Sequence, residues 1–371
     1  MMWAKGLCIS AVLVLTANNV SAASKALDAL VAEARKEGGL RAQVIDTAGP
    51  EAGKLADAFS KRFGLSNVTI GAENESTSFQ KARTAARAGS APDFDVMVGE
   101  DGNHFSFIRE GLLKKAQDWQ EILTELNPAV ASGKVKPAQV SPEPFTGYAF
   151  LVATRDESIL YNTSLINASD LPQTHLDLAN AKYKGKFNLP PWSTTFTLGA
   201  LFYPKDAWVQ NVDAMGKNAG AVLFPQEGLN RMLRGDFAFA PMNYLYYATA
   251  KAKDPSLPLA ATFFRDAIFS YRVLYGVPTG AKRPASGMLF ALWMTSDESR
   301  ALMRPSLYQE NIETGQTELD EVVRASMKAS GAKVLSWFAD SKARSEFEWI
   351  TTSDDGKKYN QAIGAGMTQR K

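Results

Sequence analysis

Cysteine is nearly absent from this sequence, and histidine is scarce. The 371 residues contain one cysteine, Cys8, and two histidines, His104 and His175. If the N-terminus is removed on export, the mature chain has no thiol, which excludes disulfides, cysteine-ligated zinc and cysteine nucleophiles. A thiol-free chain of this length is typical of an oxidising compartment, where stray thiols would mispair.

The motifs of common catalytic sites are also missing. The chain contains no GxSxG, HExxH, CxxC or P-loop, and no GxGxxG after a strand. S-x-x-K occurs at residues 78–81 and 330–333, but the S-D-N and K-T-G motifs that accompany it in acyl-transfer enzymes do not. A periplasmic serine acyl-transfer enzyme is therefore an alternative without motif support, and we expect a protein that is not an enzyme.

Long apolar runs are confined to the N-terminus. Lys5 precedes an apolar run at residues 6–16, and the small residues Ser21, Ala22 and Ala23 follow it. This order of charge, apolar run and small residues predicts a secretory signal peptide at residues 1–23. The run is shorter than the roughly 20 residues that span a bilayer, and a short membrane anchor is the alternative.

No strong charge bias is present. The formal net charge is +2, with 45% hydrophobic and 22% charged residues, which is ordinary for a globular protein. Nothing in this balance indicates nucleic acid or a membrane surface as a partner. About 350 residues remain after the signal peptide, and this length predicts two domains.

Strand and helix patterns alternate in the first third of the chain. Short apolar segments at residues 43–45, 67–70 and 94–98 are each followed by a helical pattern, the second of them at residues 79–88. Such alternation predicts βαβ units and a mostly parallel sheet. From residue 287 onward the pattern is chiefly helical.

Polar residues follow the predicted strands, close to the starts of helices. In open α/β sheets, ligands bind beyond the carboxyl ends of the strands, where free backbone N–H groups favour an anion. A Ser or Thr at a helix start is more often only a cap. The candidate ligand-binding residues of this kind are Thr47, Ser76, Thr77, Glu100, Ser193, Thr194, Thr195, Asn243 and Tyr244.

Four stretches carry a resemblance to a known family. They are 27–40 (LDALVAEARKEGGL), 92–113 (from PDFDVMVGE to REGLL), 160–189 (from LYNTSLI to AKYKGKFNL) and 276–303 (GVPTGAKRPASGMLFALWMTSDESRALM). The third is the most specific, because a Leu-Pro motif and a KYKGK strand entry follow its Tyr-Asn-Thr turn. On these stretches the chain resembles the iron-type, family 1 extracellular solute-binding proteins of bacterial ABC importers.

The resemblance implies an α/β, two-lobed periplasmic-binding-protein (Venus-flytrap) fold. Each lobe would be a mostly parallel sheet flanked by helices, with strands crossing between the lobes. The expected lobes are discontinuous: residues 24–150 plus about 272–310 form lobe 1, and residues 151–271 plus about 311–371 form lobe 2. Ligand would lie between the lobes, which close on it by a hinge motion.

In ferric-ion-binding relatives, the resemblance implies iron ligands from a His near the first loop, a Glu after the third strand and two adjacent Tyr. Glu100 matches the Glu and Tyr244 the first Tyr, but Leu245 occupies the second Tyr position and the first loop has no His. We expect His104 to be a solvated residue or a cap and His175 to lie in an exposed connection. Ferric ion is therefore the second choice.

The preferred ligand is a small organic anion that bears a phosphate or carboxylate. The helix starts would bind the anionic group, and Trp192, Asn243 and Tyr244 would contact the remainder, while Glu100 accepts from ligand hydroxyls. The resemblance further implies a periplasmic monomer, with no cofactor, that delivers its ligand to an inner-membrane permease. A ligand sensor of the same fold is an alternative that gene neighbours would distinguish.

Overall fold

The computed structural model describes residues 25–192, 194–304, 306–307 and 309–368. The predicted signal peptide, residues 1–23, and Ser193 lie outside this description, as do the side chains of residues 46 and 47. None of the helices in the described part of the chain combines the length and the apolar character that crossing a membrane requires.

Strands occur along most of the described chain. They are β1 Leu40–Val44, β2 Val68–Ala72, β3 Met97–Glu100, β4 Ala149–Asn162, β5 Asn188–Leu189, β6 Ala221–Val222, β7 Phe239–Asn243, β8 Leu259–Thr262, β9 Ala267–Gly276 and β10 Lys333–Leu335.

Helices separate and flank these strands. They are α1 Lys25–Glu37, α2 Ala52–Phe63, α3 Glu75–Arg87, α4 Asp101–Arg109, α5 Trp119–Leu126, α6 Pro128–Ala131, α7 Pro137–Val140, α8 Thr194–Thr197, α9 Lys205–Asn218, α10 Pro225–Leu233, α11 Tyr244–Lys253, α12 Pro284–Trp293, α13 Asp297–Met303, α14 Glu318–Ser330, α15 Ser341–Thr352 and α16 Asp354–Thr368. Short 3₁₀ helices occupy Asp46–Glu51, Ala168–Asp170, His175–Ala179, Ala181–Tyr183 and Leu198–Leu201.

The N-terminal sheet is built from a βαβ unit. β1 pairs in parallel with β2, and α2 forms the crossover between them. Leu55, Phe59 and Phe63 recur every four residues on α2, so they share one buried face. The helix ends at Gly64, whose φ of 67° lies in the left-handed region that glycine adopts without a steric penalty.

Two long strands, β4 and β9, run through the centre of the molecule. The first part of β4 pairs antiparallel with β9, and its second part pairs antiparallel with β7 and β8. β9 also pairs antiparallel with β3 and in parallel with β10. Because β3 and β7 pair with opposite members of this central pair, β9 and β4, one six-stranded sheet connects the two halves of the protein.

Two large apolar cores lie on either side of this central pair. The first includes Phe59, Phe290 and Trp293, whose rings lie 5.2 to 5.7 Å apart. The second includes Trp208 and Phe269, together with buried residues from α15 and α16. Burying each such side chain contributes about 1.5–3 kcal/mol, so each half has enough apolar material for a core of its own.

The predicted fold class is confirmed, with two refinements. The pairs β1/β2 and β5/β6 are parallel two-stranded sheets, whereas β3, β4, β7, β8, β9 and β10 form one six-stranded mixed sheet. Single parallel bridges, Ala42 to Val96 and Phe187 to Phe239, link the small sheets to the large one. α3 begins at Glu75 rather than at residue 79, because the Asn74 side chain accepts the backbone N–H of Thr77 and caps the helix earlier. The expected lobe boundaries stay a prediction.

Candidate functional site

A cleft of about 620 Å³ lies between the two cores. One wall comes from the starts of α3 and α4, and the floor comes from β4 and β9. The opposite wall comes from the segment that leads into α8, the start of α10, and the junction of β7 with α11. Side chains near and within α15 and α16 close one end, among them Trp337, Phe347 and Asn360.

An ion cluster of three side chains joins the first wall to the floor. Nη1 of Arg155 donates to Oε1 of Glu100 at 2.7 Å and to Oε1 of Glu75 at 3.0 Å. Oε2 of Glu75 accepts the backbone N–H of Glu100 at 3.2 Å. Three segments that are distant in sequence, from α3, β3 and β4, therefore meet at one guanidinium group.

Two carboxyl groups in this wall titrate near neutral pH. Burial raises the pKa of Glu100 to about 7, with the charge of Glu75 adding to the shift and Arg155 opposing it. Burial likewise raises the pKa of Asp101 to about 7, against the opposing charge of Arg272. Both groups lie at the start of α4, where the helix dipole favours a negative charge.

The opposite wall combines hydroxyl, amide and aromatic side chains. Trp192, Thr194, Thr195 and Asn243 line it, together with Phe224. The rings of Trp192 and Phe224 lie 6.0 Å apart at an angle of 54°, and Phe224 is 65% exposed. A large aromatic side chain that remains this exposed inside a cleft offers an apolar contact surface to a bound molecule.

A hydrogen bond from the floor holds part of this wall. The Tyr271 hydroxyl on β9 donates to the backbone carbonyls of Thr194 and Thr195, at 2.8 and 3.2 Å. Burial raises the pKa of Tyr271 well above its usual value, so the phenol stays a donor. The position of these two threonines therefore depends on a central strand.

Six of the residues predicted from sequence line the cleft. They are Ser76, Glu100, Trp192, Thr194, Thr195 and Asn243. Thr77 is exposed on the first turn of α3 but does not line the cleft. Ser193 and the side chain of Thr47 lie outside the described residues.

Tyr244 lies apart from the cleft. Its side chain is buried, its ring stacks on Phe263 at 5.8 Å, and it does not line the cleft although its neighbours Asn243 and Leu245 do. Burial raises the pKa of Tyr244 and so disfavours a tyrosinate. The two residues predicted as iron ligands, Glu100 and Tyr244, are not brought together in this cleft.

The expected environment of His175 was wrong, because it is fully buried rather than in an exposed connection. Its Nε2 lies 2.9 Å from Oε2 of Glu157 and its Nδ1 lies 3.1 Å from Oδ1 of Asp266. Burial alone would lower the pKa of His175, but these two carboxylates raise it to about 9. The ring also stacks on Phe264 at 3.9 Å, so the histidine serves as a charged core residue.

His104 is also buried, and the expectation that it is solvated or a cap was wrong. It lies within α4, with its Nδ1 3.3 Å from the carbonyl oxygen of Glu100 and its ring against Phe79 at 5.0 Å. Burial lowers the pKa of His104 to about 4. The ring is therefore neutral and packs in the core behind the cleft wall.

Sequence reasoning missed Arg155, Glu75 and Asp101. A signal for Arg155 was present, because the run of charged residues at 155–157 interrupts an otherwise apolar strand pattern. Charged residues within a buried strand must be paired, and such pairing marks a candidate site. Glu75 carried no comparable signal, since an acidic residue at a helix start is common.

Several solved structures share this architecture. Iron-bound HitA from Pseudomonas aeruginosa has a TM-score of 0.67 at 15% identity, covering 88% of this chain and 99% of that chain. AgtB from A. tumefaciens R10 in complex with agropinic acid has a TM-score of 0.61 at 15% identity, and the alignment covers 87% of this chain and 99% of that chain. IdiA (FutA) from Trichodesmium in complex with iron and citrate has a TM-score of 0.62 at 16% identity, and the alignment covers 90% of this chain and 100% of that chain. At sequence identities of 15–16%, this structural similarity establishes the fold and not the ligand.

A family model identifies the protein family of the chain. No curated protein matches the sequence. The model described as bacterial extracellular solute-binding protein matches residues 54–304, which is more than half of the chain. The match covers both walls of the cleft but stops before the C-terminal residues that close its end. The chain therefore belongs to the bacterial extracellular solute-binding protein family, which confirms the resemblance drawn from its sequence.

Proposed function

We propose that the protein is the periplasmic substrate-binding component of an ABC importer and that it captures a small organic anion between its two lobes. The observation that carries this proposal is the position of Arg155 in the floor of a polar cleft of about 620 Å³. The guanidinium is the one cationic side chain among the described residues that line the cleft.

Arg155 retains donors for an anion. Its contacts with Glu75 and Glu100 both use Nη1, while Nε and Nη2 have no hydrogen-bond acceptor among the described residues. Two parallel N–H groups of a guanidinium match the geometry of a carboxylate or a phosphate. The starts of α3, α4 and α11 face the same space and add backbone N–H groups.

The solved neighbours hold different molecules, so their fold does not select a ligand. HitA holds iron, AgtB holds agropinic acid, and the Trichodesmium protein holds iron and citrate. The buried position of Tyr244 supports an organic anion over ferric ion, because a phenol kept protonated and outside the cleft is a poor ligand for a hard cation.

Family membership supports the remaining parts of the proposal. An extracellular solute-binding protein with the predicted signal peptide at 1–23 would act in the periplasm as a monomer and pass its ligand to an inner-membrane permease. We also propose the lobe boundaries given above. The packing of α15 and α16 on the second core supports the assignment of residues 311–371 to lobe 2.

A melting screen tests the proposed function. Sugar phosphates, organic acids, phosphonates and ferric citrate are compared for their effect on Tm, because a ligand that binds only the folded state raises it. We expect an organic anion to give the largest rise. If none of these compounds shifts Tm, or if ferric citrate alone does and the shift is lost in Tyr244→Phe, the proposal is wrong.

Two variants test the role of Arg155. Arg155→Lys keeps the positive charge but loses the fork of donors, so we expect the best organic anion to bind about tenfold more weakly or worse. Arg234→Gln is the matched control, because that arginine is 64% exposed and does not line the cleft. Equal binding by Arg155→Lys and the native protein would remove Arg155 from the anion site.

A further inference from the structure

A small recess adjoins the opposite wall of the cleft, in the second half of the protein. It is lined in part by Glu157, Asn188, Trp192, Thr195 and Asn243, and the last three of these also line the cleft itself. Its free volume of about 20 Å³ accommodates a single group of the size of a water molecule or an ammonium ion.

The recess lies next to the proposed anion site because of strand geometry. Side chains two residues apart on a strand point to the same face, so Arg155 and Glu157 of β4 share one face while Asp156 points to the other. The contacts agree with this: Arg155 reaches Glu100 in the cleft wall, whereas Asp156 accepts from Ser270 at 2.6 Å within the core.

Two residues with buried side-chain acceptors, Asn188 and Glu157, line the recess. Asn188 is 1% exposed, and its Oδ1 has no hydrogen-bond partner among the described residues. Glu157 is 2% exposed, and Oε2 of its carboxylate accepts from His175. A buried acceptor without a donor destabilises the protein, and a ligand that supplies the donor removes this cost.

The charge around the recess favours a cationic donor. The described residues that line it include one ionisable side chain, Glu157, and no Lys, Arg or His. Behind it, His175 is shared between two carboxylates, those of Glu157 and Asp266, so the group as a whole retains a negative charge. The face of Trp192 adds a surface that attracts cations.

We propose that this recess is a second subsite, which binds a protonated amino group of the same ligand whose anionic group binds Arg155. The inference rests on the proposed function and narrows it: the transported molecule is a zwitterion, an organic acid that also carries an amine. A metal ion is a poorer occupant, because no group of three or more His, Cys, Asp or Glu side chains that could hold one occurs among the described residues.

Matched probe pairs test the subsite in the native protein. Each pair shares a skeleton and differs in the amine: 4-aminobutyrate with butyrate, 6-aminohexanoate with hexanoate, and 3-aminopropylphosphonate with propylphosphonate. In at least one pair we expect the amino compound to bind about tenfold more tightly than its partner, by calorimetry and by the rise in Tm, since it pairs a buried charge and a buried amide oxygen.

Two variants test whether the recess is the site that prefers the amino compounds. Glu157→Gln removes the negative charge, and we expect the affinity ratio between an amino compound and its plain acid to fall to about twofold or less. Glu227→Gln is the matched control, because Glu227 is exposed on α10 and does not line the recess. Because Glu157→Gln also changes a partner of His175, Asn188→Ala provides a second variant that removes the unpaired amide, and it should lower the preference as well.

The outcomes separate the subsite from the proposed function. If the plain acids bind as tightly as the amino acids, the subsite is wrong while the anion site stands. If the amine is preferred but neither Glu157→Gln nor Asn188→Ala changes the preference, the amine binds elsewhere and the inference also fails. If neither member of any pair binds, the subsite is overturned, and the broader melting screen alone decides whether the protein binds an organic anion.

Discussion

At the residue scale, Arg155 contacts two of the three acidic side chains that line the cleft, Glu75 and Glu100. Its single positive charge is shared by Glu75 and Glu100, which would otherwise be two partly buried carboxylates without a cationic partner. A buried ion pair contributes little net stability, but removing one partner costs about 3–5 kcal/mol because the other charge is left unpaired. A single substitution of Glu75, Glu100 or Arg155 is therefore expected to destabilise the protein.

Binding of an anion should depend on pH through Glu100 and Asp101. Both have a pKa of about 7, so they are mostly ionised at pH 8 and mostly protonated at pH 6. Protonation removes negative charge beside Arg155, and the best organic anion from the melting screen should therefore bind about tenfold more tightly at pH 6 than at pH 8. Calorimetric titrations at both pH values measure this difference.

The variant Glu100→Gln tests whether Glu100 causes this pH dependence. The variant removes one of the two titrating groups, so the change in Kd between pH 8 and pH 6 should become smaller. Affinity that is constant from pH 6 to 8 in the native protein, or that weakens as the pH falls, would contradict the proposed electrostatics of the site.

At the scale of single elements, one buried carboxylate holds the start of α14 and the segment before it. Asp320 accepts from Nη1 and Nη2 of Arg300 on α13, at 3.1 and 2.8 Å, and from the backbone N–H of Asn311 at 2.7 Å. It also forms a capping box with Thr317. Two helices and a loop thus depend on a residue that is fully buried.

Asp320→Asn should lower the free energy of unfolding by about 3–5 kcal/mol, because it leaves the buried Arg300 with Asp297, a half-exposed residue, as its only remaining acidic partner among the described residues. Asp297→Asn is the matched control: Asp297 contacts the same arginine at 3.4 Å but its side chain is 52% exposed, so its loss should cost less than about 1 kcal/mol. Urea denaturation of both variants measures the difference, and similar costs for the two would refute this account.

At the scale of the whole molecule, the C-terminal helices do more than cover the second core. Family similarity ends at residue 304, yet Trp337, Phe347 and Asn360 close one end of the cleft. If the ligand binds in this cleft as proposed, a part of the chain that the family model does not match would contact it.

Asn360→Ala tests this contribution. Asn360 is half-buried at the end of the cleft, and the loss of one hydrogen bond to ligand should weaken binding about two- to tenfold. Lys358→Ala on the same helix is the control, because its side chain is 74% exposed and should leave Kd unchanged. Kd is measured by calorimetry with the best organic anion, and equal values for native and Asn360→Ala protein would exclude a contact.

Local patterns in the sequence determined the fold class, the alternation of strands and helices, and the polar helix starts. Residues such as Thr194, Thr195 and Asn243 could be found because each lies at the end of a strand or within a few positions after it, and Glu100 because it also matches a family motif. Periodicity and capping depend on neighbours within one or two turns, so a single sequence records them.

Only the tertiary structure decided what the site contains. Arg155, Glu75 and Glu100 come from three elements up to 80 residues apart, and no local rule links them. The same holds for His175, whose burial depends on two carboxylates from other strands and loops. The sequence by itself predicted an α/β protein with polar strand ends, and its resemblance to a family implied a cleft between lobes. Long-range packing placed the charges in that cleft, because the pairing of buried charges is set by the fold rather than by adjacent residues.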